Sequence, residues 1–138
     1  MKLDTRPILV DTREKTPWSF RSQSRQCLTF GDYSILKGKH KIVIERKSLT
    51  DLYITLAPDR WDHFLELMGR AKSKTKHVFI FIEASLSEVY CGIRFSRLSG
   101  NYIMSKLIVL MELGIHVIFT GNAKKGPEFA ETLLRKLG

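Results

Sequence analysis

Cysteine and long apolar runs are both scarce in this 138-residue chain. Cys27 and Cys91 are its two cysteines, and they stand far apart. The chain has neither a CxxC pair nor a Cys/His spacing typical of ligands, which argues against a zinc site. No signal-peptide pattern is present, so we expect reduced thiols. No apolar run approaches the roughly 18 residues of a membrane-spanning helix, so we expect no membrane partner.

Acidic residues are also outnumbered. The 14 Asp and Glu residues face 23 Lys and Arg residues, which leaves a formal net charge of +9. Such an excess indicates a polyanionic partner, with nucleic acid first and an anionic membrane surface second. Charge alone does not separate these from a charge that only maintains solubility. We expect a cytoplasmic protein, or a nuclear one if the source is eukaryotic.

What is present is the pattern of one α/β domain. The length suits a single domain over residues 1–138, without repeats, low-complexity tracts or linkers. Continuous apolar runs at Ile8–Val10, His77–Ile82 and His116–Phe119 predict buried strands. Helical patterns begin at Ser48, at Pro58 and at Pro127, with others at Leu86–Cys91 and Asn101–Leu113. This order predicts a mixed central sheet with helices on its faces.

The stretch from residue 31 to residue 51 carries the strongest signal. Two apolar-rich runs flank residues 37–40, which predicts a β-hairpin with Gly38-Lys39 as a type II′ turn. Counting outward from that turn places Asp32 directly across from Glu45, with Cβ atoms about 5 Å apart. Like charges in this position are destabilising, so a divalent cation is the expected compensation.

Lys47 completes a possible catalytic group. Alternation along a strand places Glu45 and Lys47 on one face and Arg46 on the other. Two carboxylates that bind a metal beside an ammonium group suit phosphodiester hydrolysis, in which a metal polarises the phosphate and activates water. An isolated E-x-K pair is more often a solvated ion pair, and a slip of one residue would separate the carboxylates.

Three sequence blocks together resemble a known family. They are Val10-Asp11-Thr12-Arg13-Glu14, Gly31-Asp32-Tyr33, and Glu45-Arg46-Lys47 followed by Asp51. They are similar to the signature of the XPF/ERCC4 nucleases, GD…ERKxxxD after a strand that ends in aspartate, within the PD-(D/E)xK superfamily. Members commonly carry a helix-hairpin-helix domain after the nuclease, and no such hairpin is found here.

The resemblance implies a fold like that of restriction endonucleases and a magnesium-dependent endonuclease acting on branched or otherwise structured DNA. Manganese is a possible substitute for magnesium. The implied products carry a 5′-phosphate and a 3′-hydroxyl, in keeping with roles such as DNA repair or recombination. The implied metal ligands are Asp11, Asp32, Glu45 and the backbone carbonyl of Arg46.

The resemblance also assigns supporting roles. Lys47 would assist the attacking water, and Glu14, Arg13 and Arg46 would support the site or the scissile phosphate. Arg60 lies where members carry an arginine at a helix entry and is a candidate DNA contact. Lys72 and Lys74 belong to a run of four cations that is either solvated or tracks phosphates.

Other interpretations stay open at this stage. One is a Holliday-junction resolvase or restriction-type nuclease of the same superfamily. Another is a non-catalytic DNA-binding partner subunit, although such chains lose motif acids and this chain retains them. The family implies a homodimer or heterodimer through the last helices, and the nearly all-apolar stretch Asn101–Leu113 fits either burial in the core or a subunit contact.

Overall fold

The computed structural model of the protein describes residues 3–121 and 124–138. Within these ranges the chain forms six strands and five helices. The strands are β1 (Ile8–Asp11), β2 (Gln23–Gln26), β3 (Tyr33–Ile35), β4 (Ile42–Ser48), β5 (His77–Glu83) and β6 (His116–Phe119). The helices are α1 (Leu49–Thr55), α2 (Trp61–Lys74), α3 (Leu86–Cys91), α4 (Gly100–Glu112) and α5 (Gly126–Leu137).

All six strands belong to one mixed sheet in the order β2-β1-β3-β4-β5-β6. Strand β3 is antiparallel to both β1 and β4, whereas β4, β5 and β6 run parallel. The carboxyl ends of β1, β4 and β5 therefore meet the amino end of β3 at one edge of the sheet. The predicted mixed α/β architecture is confirmed, and this edge gathers the motif residues.

Apolar side chains cover both faces of the sheet. The larger cluster joins helices α1 to α4 to the sheet through residues such as Leu52, Phe64 and Leu107. The second cluster packs α5 and Trp18 against the other face, around Tyr33 and Phe81. Trp18 therefore anchors its loop in the core, as expected for aromatics in a turn-forming segment.

The hairpin forms with the predicted register but with a different turn. Tyr33 pairs with Ile44, as counting from a centre between residues 38 and 39 requires. The positive φ lies at Lys37, at 54°, and Gly38 does not adopt the left-handed conformation, so the type II′ prediction is wrong. Gly38 serves a close approach instead, because a Cβ there would lie 3.1 Å from the carbonyl carbon of Gly138.

The predicted start of α1 is confirmed, whereas that of α2 is three residues too early. The Ser48 hydroxyl accepts the Asp51 amide at 3.1 Å, which confirms Ser48 as the N-cap of α1. Helix α2 begins at Trp61 rather than at Pro58, because the Ala57 carbonyl closes a turn by accepting the Arg60 and Trp61 amides, each at 2.9 Å.

The state of the cysteines agrees with the expectation of reduced thiols. Cys27 and Cys91 are both free and exposed. In the described residues, no helix is long and apolar enough to cross a membrane.

Candidate active site

Two carboxylates from neighbouring strands face each other at the edge described above. The pairing of Tyr33 with Ile44 places Asp32 opposite Glu45. The Asp32 amide donates to the Ile44 carbonyl at 2.8 Å, and the Asp32 Oδ2 accepts the Arg46 amide at 2.7 Å. The backbone thus fixes this pair before any ligand binds.

The electrostatics of the pair are unfavourable without a further positive charge. Burial, and then the nearby Glu45 carboxylate, raise the pKa of Asp32 to about 8, although the Arg46 amide opposes the shift. Burial also raises the pKa of Glu45, against the attraction of Lys47. Half-buried carboxylates in this position need a proton or a cation.

Neighbouring side chains on β4 point to opposite faces, as the strand pattern predicts. The Lys47 Nζ lies 3.4 Å from Glu45 Oε1 and 5.6 Å from the centroid of the Phe64 ring. Arg46 points to the other face, where its guanidinium lies 4.9 Å from the centroid of the Trp18 ring. Lys47 is therefore on the side of the carboxylate pair, and Arg46 is behind it.

Asp11 lies at the end of β1 and is 2% exposed. Its carboxylate accepts the Arg13 Nε at 2.8 Å, the Arg13 Nη2 at 3.2 Å and the Leu28 amide at 2.8 Å. Burial opposes ionisation, but these donors lower the pKa of Asp11. The Asp11 carboxylate is thus charged and already engaged by Arg13, whose own side chain is largely exposed.

Glu14 links the carboxylate pair to the Arg46 side of the sheet. The Tyr33 hydroxyl donates to Glu14 Oε2 at 2.9 Å, and Arg46 Nη1 lies 3.5 Å from the same oxygen. The negative charge of Glu14 also contributes to the raised pKa of Asp32 and of Glu45. Its position supports the predicted role of a site residue.

Glu83 is a site residue that the sequence analysis missed. Its Oε1 accepts the Arg46 Nε at 2.7 Å, and its strand pairs it with Ser48 at the same edge. The signal was available, because Glu83 follows the apolar run of β5 just as Asp11 follows that of β1.

The carboxylates surround a cavity of about 300 Å³, which we call the acidic recess. Its wall is formed chiefly by Asp11, Arg13, Glu14, Asp32 and Glu45. A second cavity of about 310 Å³ adjoins it, because Arg13 and Glu14 line both, and it extends to Arg46, Asp51 and Glu83. The structure therefore brings four of the five predicted catalytic residues together around one opening. The fifth, Lys47, does not line the opening but contacts Glu45, which does.

The residues of the recess fit a hard cation only in part. Among the described residues, no three His, Cys, Asp or Glu side chains form an arrangement that would hold a metal ion. The predicted third ligand, Asp11, is turned toward Arg13 and Leu28. The Asp32–Glu45 pair does fit, because two desolvated carboxylates are suitable oxygen ligands for Mg²⁺ or Mn²⁺. The Arg46 carbonyl adjoins Glu45 along the chain.

The predicted DNA contacts divide between two ends of the sheet. Arg60 is exposed just before α2, at the turn that follows α1. Lys74 lines a cavity with Gly38 and His40, which lie at the far end of the hairpin. Lys72 donates to the Lys76 carbonyl at 2.9 Å, near the start of β5. Lys72 and Lys74 therefore do not join the acidic recess, because α2 carries them to the opposite end of the sheet.

Comparison with known proteins agrees with this geometry. The family model described as "ERCC4 domain" matches residues 10–133. Two solved structures of XPF from Aeropyrum pernix are similar, and one of them is in complex with DNA. Each has a TM-score of 0.71 and 22% sequence identity, and the match covers 94% and 95% of this chain but 64% of each solved chain. No curated protein matches.

The family match covers nearly the whole chain, including the three sequence blocks around the acidic recess. The solved structures share the mixed sheet and its flanking helices. The chain belongs to the ERCC4 domain family.

Proposed function

We propose that the protein is a metal-dependent DNA endonuclease that hydrolyses phosphodiester bonds in branched or otherwise structured DNA. The observation that carries the proposal is the pair of half-buried carboxylates, Asp32 and Glu45, held face to face beside Lys47. Membership of the ERCC4 domain family favours this activity over that of a resolvase or restriction-type nuclease of the wider superfamily.

Asp32 and Glu45 would hold the cation, Mg²⁺ with Mn²⁺ as a substitute, and the Arg46 carbonyl is the adjacent backbone ligand. When bound, the cation polarises the phosphate and lowers the pKa of a water molecule. Asp11 would join the ligand set once Arg13 releases it. The exposed Arg13 side chain is free to turn toward a DNA phosphate, because its guanidinium contacts only Asp11 and the Leu28 carbonyl in the described structure.

Lys47 and Arg46 have different tasks in this proposal. The Lys47 ammonium, 3.4 Å from Glu45, holds the attacking water or stabilises charge that develops on the phosphate. Arg46 is a positioning residue, because Glu83 and Glu14 hold its guanidinium on the other face of the sheet. Its backbone amide orients Asp32 directly. The products would carry a 5′-phosphate and a 3′-hydroxyl.

DNA is the proposed partner on grounds of charge as well as of family. The net charge of +9 supplies a sequence-independent attraction to phosphates. One of the solved XPF relatives is in complex with DNA. The match covers 64% of that relative. The path of DNA to the acidic recess is therefore proposed from the residues of this chain and not from the relative's complex.

A second copy, or a related chain, is the other proposed partner. The face of α4 that does not pack on the sheet exposes Ile108 at 51% and Met111 at 42%. Leu113, which follows the helix, is 41% exposed. Apolar side chains this close together on one helix favour a subunit contact.

Cleavage of labelled branched DNA, with and without Mg²⁺, tests the proposed activity. We expect cleavage by the wild type only with the metal. Glu45→Gln should lose both metal binding and cleavage, because an amide oxygen is a weaker, uncharged ligand. Lys47→Ala should still bind Mg²⁺ yet lose about 10²–10³ in rate. A Lys47→Ala protein that is folded by circular dichroism and cuts at the wild-type rate would overturn this mechanism.

A further inference from the structure

Phe95 is the most exposed large apolar side chain of the described residues, at 94%. It lies in the segment between α3 and α4, and none of the aromatic ring pairs among the described residues includes it. The Arg94 guanidinium lies 5.6 Å from the centroid of the ring. An aromatic ring exposed to solvent beside a cation buries no apolar surface and so does not stabilise the fold. Such a ring is explained by the binding of a ligand that covers it.

The ring lies beside a groove of about 580 Å³, which we call the Phe95 groove. Its floor is mainly apolar and comes from α1 and the following turn, through Tyr53, Ile54 and Pro58. Its rim carries the exposed Arg60 and Arg97. Arg94 adds a third arginine beside the ring, and Asp59 is the one acidic residue, among those described, that lines the groove.

Helix α1 connects the Phe95 groove to the catalytic edge. Ser48 and Asp51, at its start, line the cavity that adjoins the acidic recess. Thr50 and Ile54, on a neighbouring side of the same helix, line the Phe95 groove. A seven-residue helix is about 10 Å long, so the two sites are separated by roughly the length of a few nucleotides.

We propose that the Phe95 groove binds an unpaired base of a DNA strand, stacked on Phe95, with the flanking phosphates held by Arg60 and Arg97. The inference rests on the proposed function for the choice of DNA, and it adds a site that distinguishes single-stranded from paired nucleotides. A paired base cannot stack there, because its faces are already covered by its neighbours in the duplex. Stacking is tolerant of sequence, since every base has an aromatic face.

The charge around the Phe95 groove selects this occupant over an apolar side chain of a partner protein. Such a side chain would use Phe95 and Ile54, but it would leave Arg60, Arg94 and Arg97 with no counter-charge from the described lining residues beyond that of Asp59. A nucleotide uses both features at once, because its base covers the ring and its phosphates meet the arginines. A wild type without a base preference, or a Phe95→Leu variant that keeps it, would favour a side chain of a partner protein instead.

The test compares two fluorescently labelled single strands of equal length, about 12 nucleotides, one of thymidines and one fully abasic. Binding is measured by anisotropy in EDTA, so no cleavage occurs. The wild type should prefer the strand with bases. Phe95→Ala should weaken that binding by roughly 5- to 150-fold while leaving the affinity for the abasic strand unchanged.

Two further variants at position 95 separate stacking from apolar contact. Phe95→Leu should behave as Phe95→Ala, because leucine is apolar but offers no aromatic face. Phe95→Trp should keep the preference, and its emission should be quenched by the strand with bases. The native Trp18 and Trp61 are buried and give a steady background. If Phe95→Leu keeps the full preference, or the wild type shows none, the stacking site is refuted and a protein contact replaces it.

A matched pair of arginine variants tests the rim. Arg97→Gln should weaken both strands by a similar factor, because phosphates remain in each. Arg70→Gln, an exposed arginine on α2 outside the groove, should change neither by as much. Equal effects of the two variants would remove Arg97 from the site.

The outcome is independent of the proposed catalysis. If wild-type protein cuts no DNA in Mg²⁺ but prefers the strand with bases through Phe95, the nuclease proposal fails and the groove stands. If the protein cuts DNA but Phe95→Ala binds both strands as the wild type does, the groove proposal fails and the nuclease stands.

Discussion

Asp32 is the residue where stability and function conflict most directly. Its carboxyl is half-buried opposite Glu45, and its pKa is raised to about 8 by burial and by that neighbour. The folded state therefore binds more protons than the unfolded state between about pH 4 and pH 8. The stabilisation present at low pH is lost as the pH rises through this window, so the metal-free protein weakens toward pH 8.

Asp32→Asn should remove this dependence in the metal-free protein. The amide oxygen can still accept the Arg46 amide, but the like charge opposite Glu45 is gone. In EDTA at pH 8 we expect the variant to be more stable than the wild type by roughly 1–3 kcal/mol. Added Mg²⁺ should stabilise the wild type and not the variant. Urea unfolding at pH 5 and pH 8 measures both effects, and a variant less stable than wild type at pH 8 would contradict the prediction.

Glu83 provides a second prediction for a single residue. Glu83→Gln leaves the half-buried Arg46 with Glu14 as its remaining carboxylate, 3.5 Å away. We expect a loss of stability of about 1–2 kcal/mol and slower cleavage with unchanged DNA affinity, because Arg46 positions the site without binding the strand.

The matched control for Glu83→Gln is Glu131→Gln. Glu131 binds Arg135 at 2.9 Å on α5, away from the acidic recess, so its loss should lower stability without slowing cleavage. If both variants lose stability equally and cut DNA at the wild-type rate, Glu83 has no role in the site.

At the scale of elements, strands β3 and β4 show what the sequence specifies. The alternation of apolar and polar residues specifies which residues share a face of the sheet. The prediction that Asp32 lies opposite Glu45 was therefore correct, even though the predicted turn type was wrong. Gly38 instead closely approaches Gly138, a residue far away in the sequence, and a Cβ on Gly38 would lie 3.1 Å from its carbonyl carbon. Local patterns do not contain such contacts.

The same limit applies to two details of the site. The engagement of Asp11 by Arg13 depends on a rotamer of an exposed side chain, which a strand pattern does not specify. Lys72 and Lys74 were predicted as DNA contacts from a run of cations, and the direction of α2 places them at the end of the sheet opposite the acidic recess. Neither the rotamer of Arg13 nor the direction of α2 can be predicted from local sequence patterns. Glu83 could have been predicted, because it stands at the end of the apolar pattern of β5.

Helix α4 yields a prediction about assembly. Ile108 and Met111 are one turn apart and are both exposed. A glutamate at either position would place a charge in the proposed subunit contact, so Ile108→Glu and Met111→Glu should each shift a dimer to a monomer. Leu3→Glu, which changes another exposed apolar residue, should leave the mass unchanged. Sedimentation at tens of micromolar distinguishes these outcomes, and a monomeric wild type would remove the homodimer.

At the scale of the whole molecule, the excess of positive charge is arranged over an uneven surface. The acidic recess concentrates acids, whereas Arg60 and Arg97 line the Phe95 groove beside α1, and Arg94 adjoins Phe95. In the proposed function, a DNA strand would therefore be attracted to the flank and repelled by the acidic recess until a cation binds there. If the proposed metal site is correct, cleavage should depend on Mg²⁺, whereas DNA binding at the flank should not.

The salt dependence of DNA binding tests this arrangement. If the strand contacts 6–10 phosphates, the affinity of the wild type should fall by about 10³–10⁵ between roughly 50 and 200 mM salt. Arg60→Gln removes one contact next to α1 and should reduce the slope of log K against log salt by about 0.7–0.9. Lys74→Gln removes the same charge at the far end of the sheet and should change the slope much less. Fluorescence anisotropy over a salt titration measures all three proteins. If Lys74→Gln lowers the slope as much as Arg60→Gln does, the DNA extends along the whole sheet. The path along α1 would then be wrong.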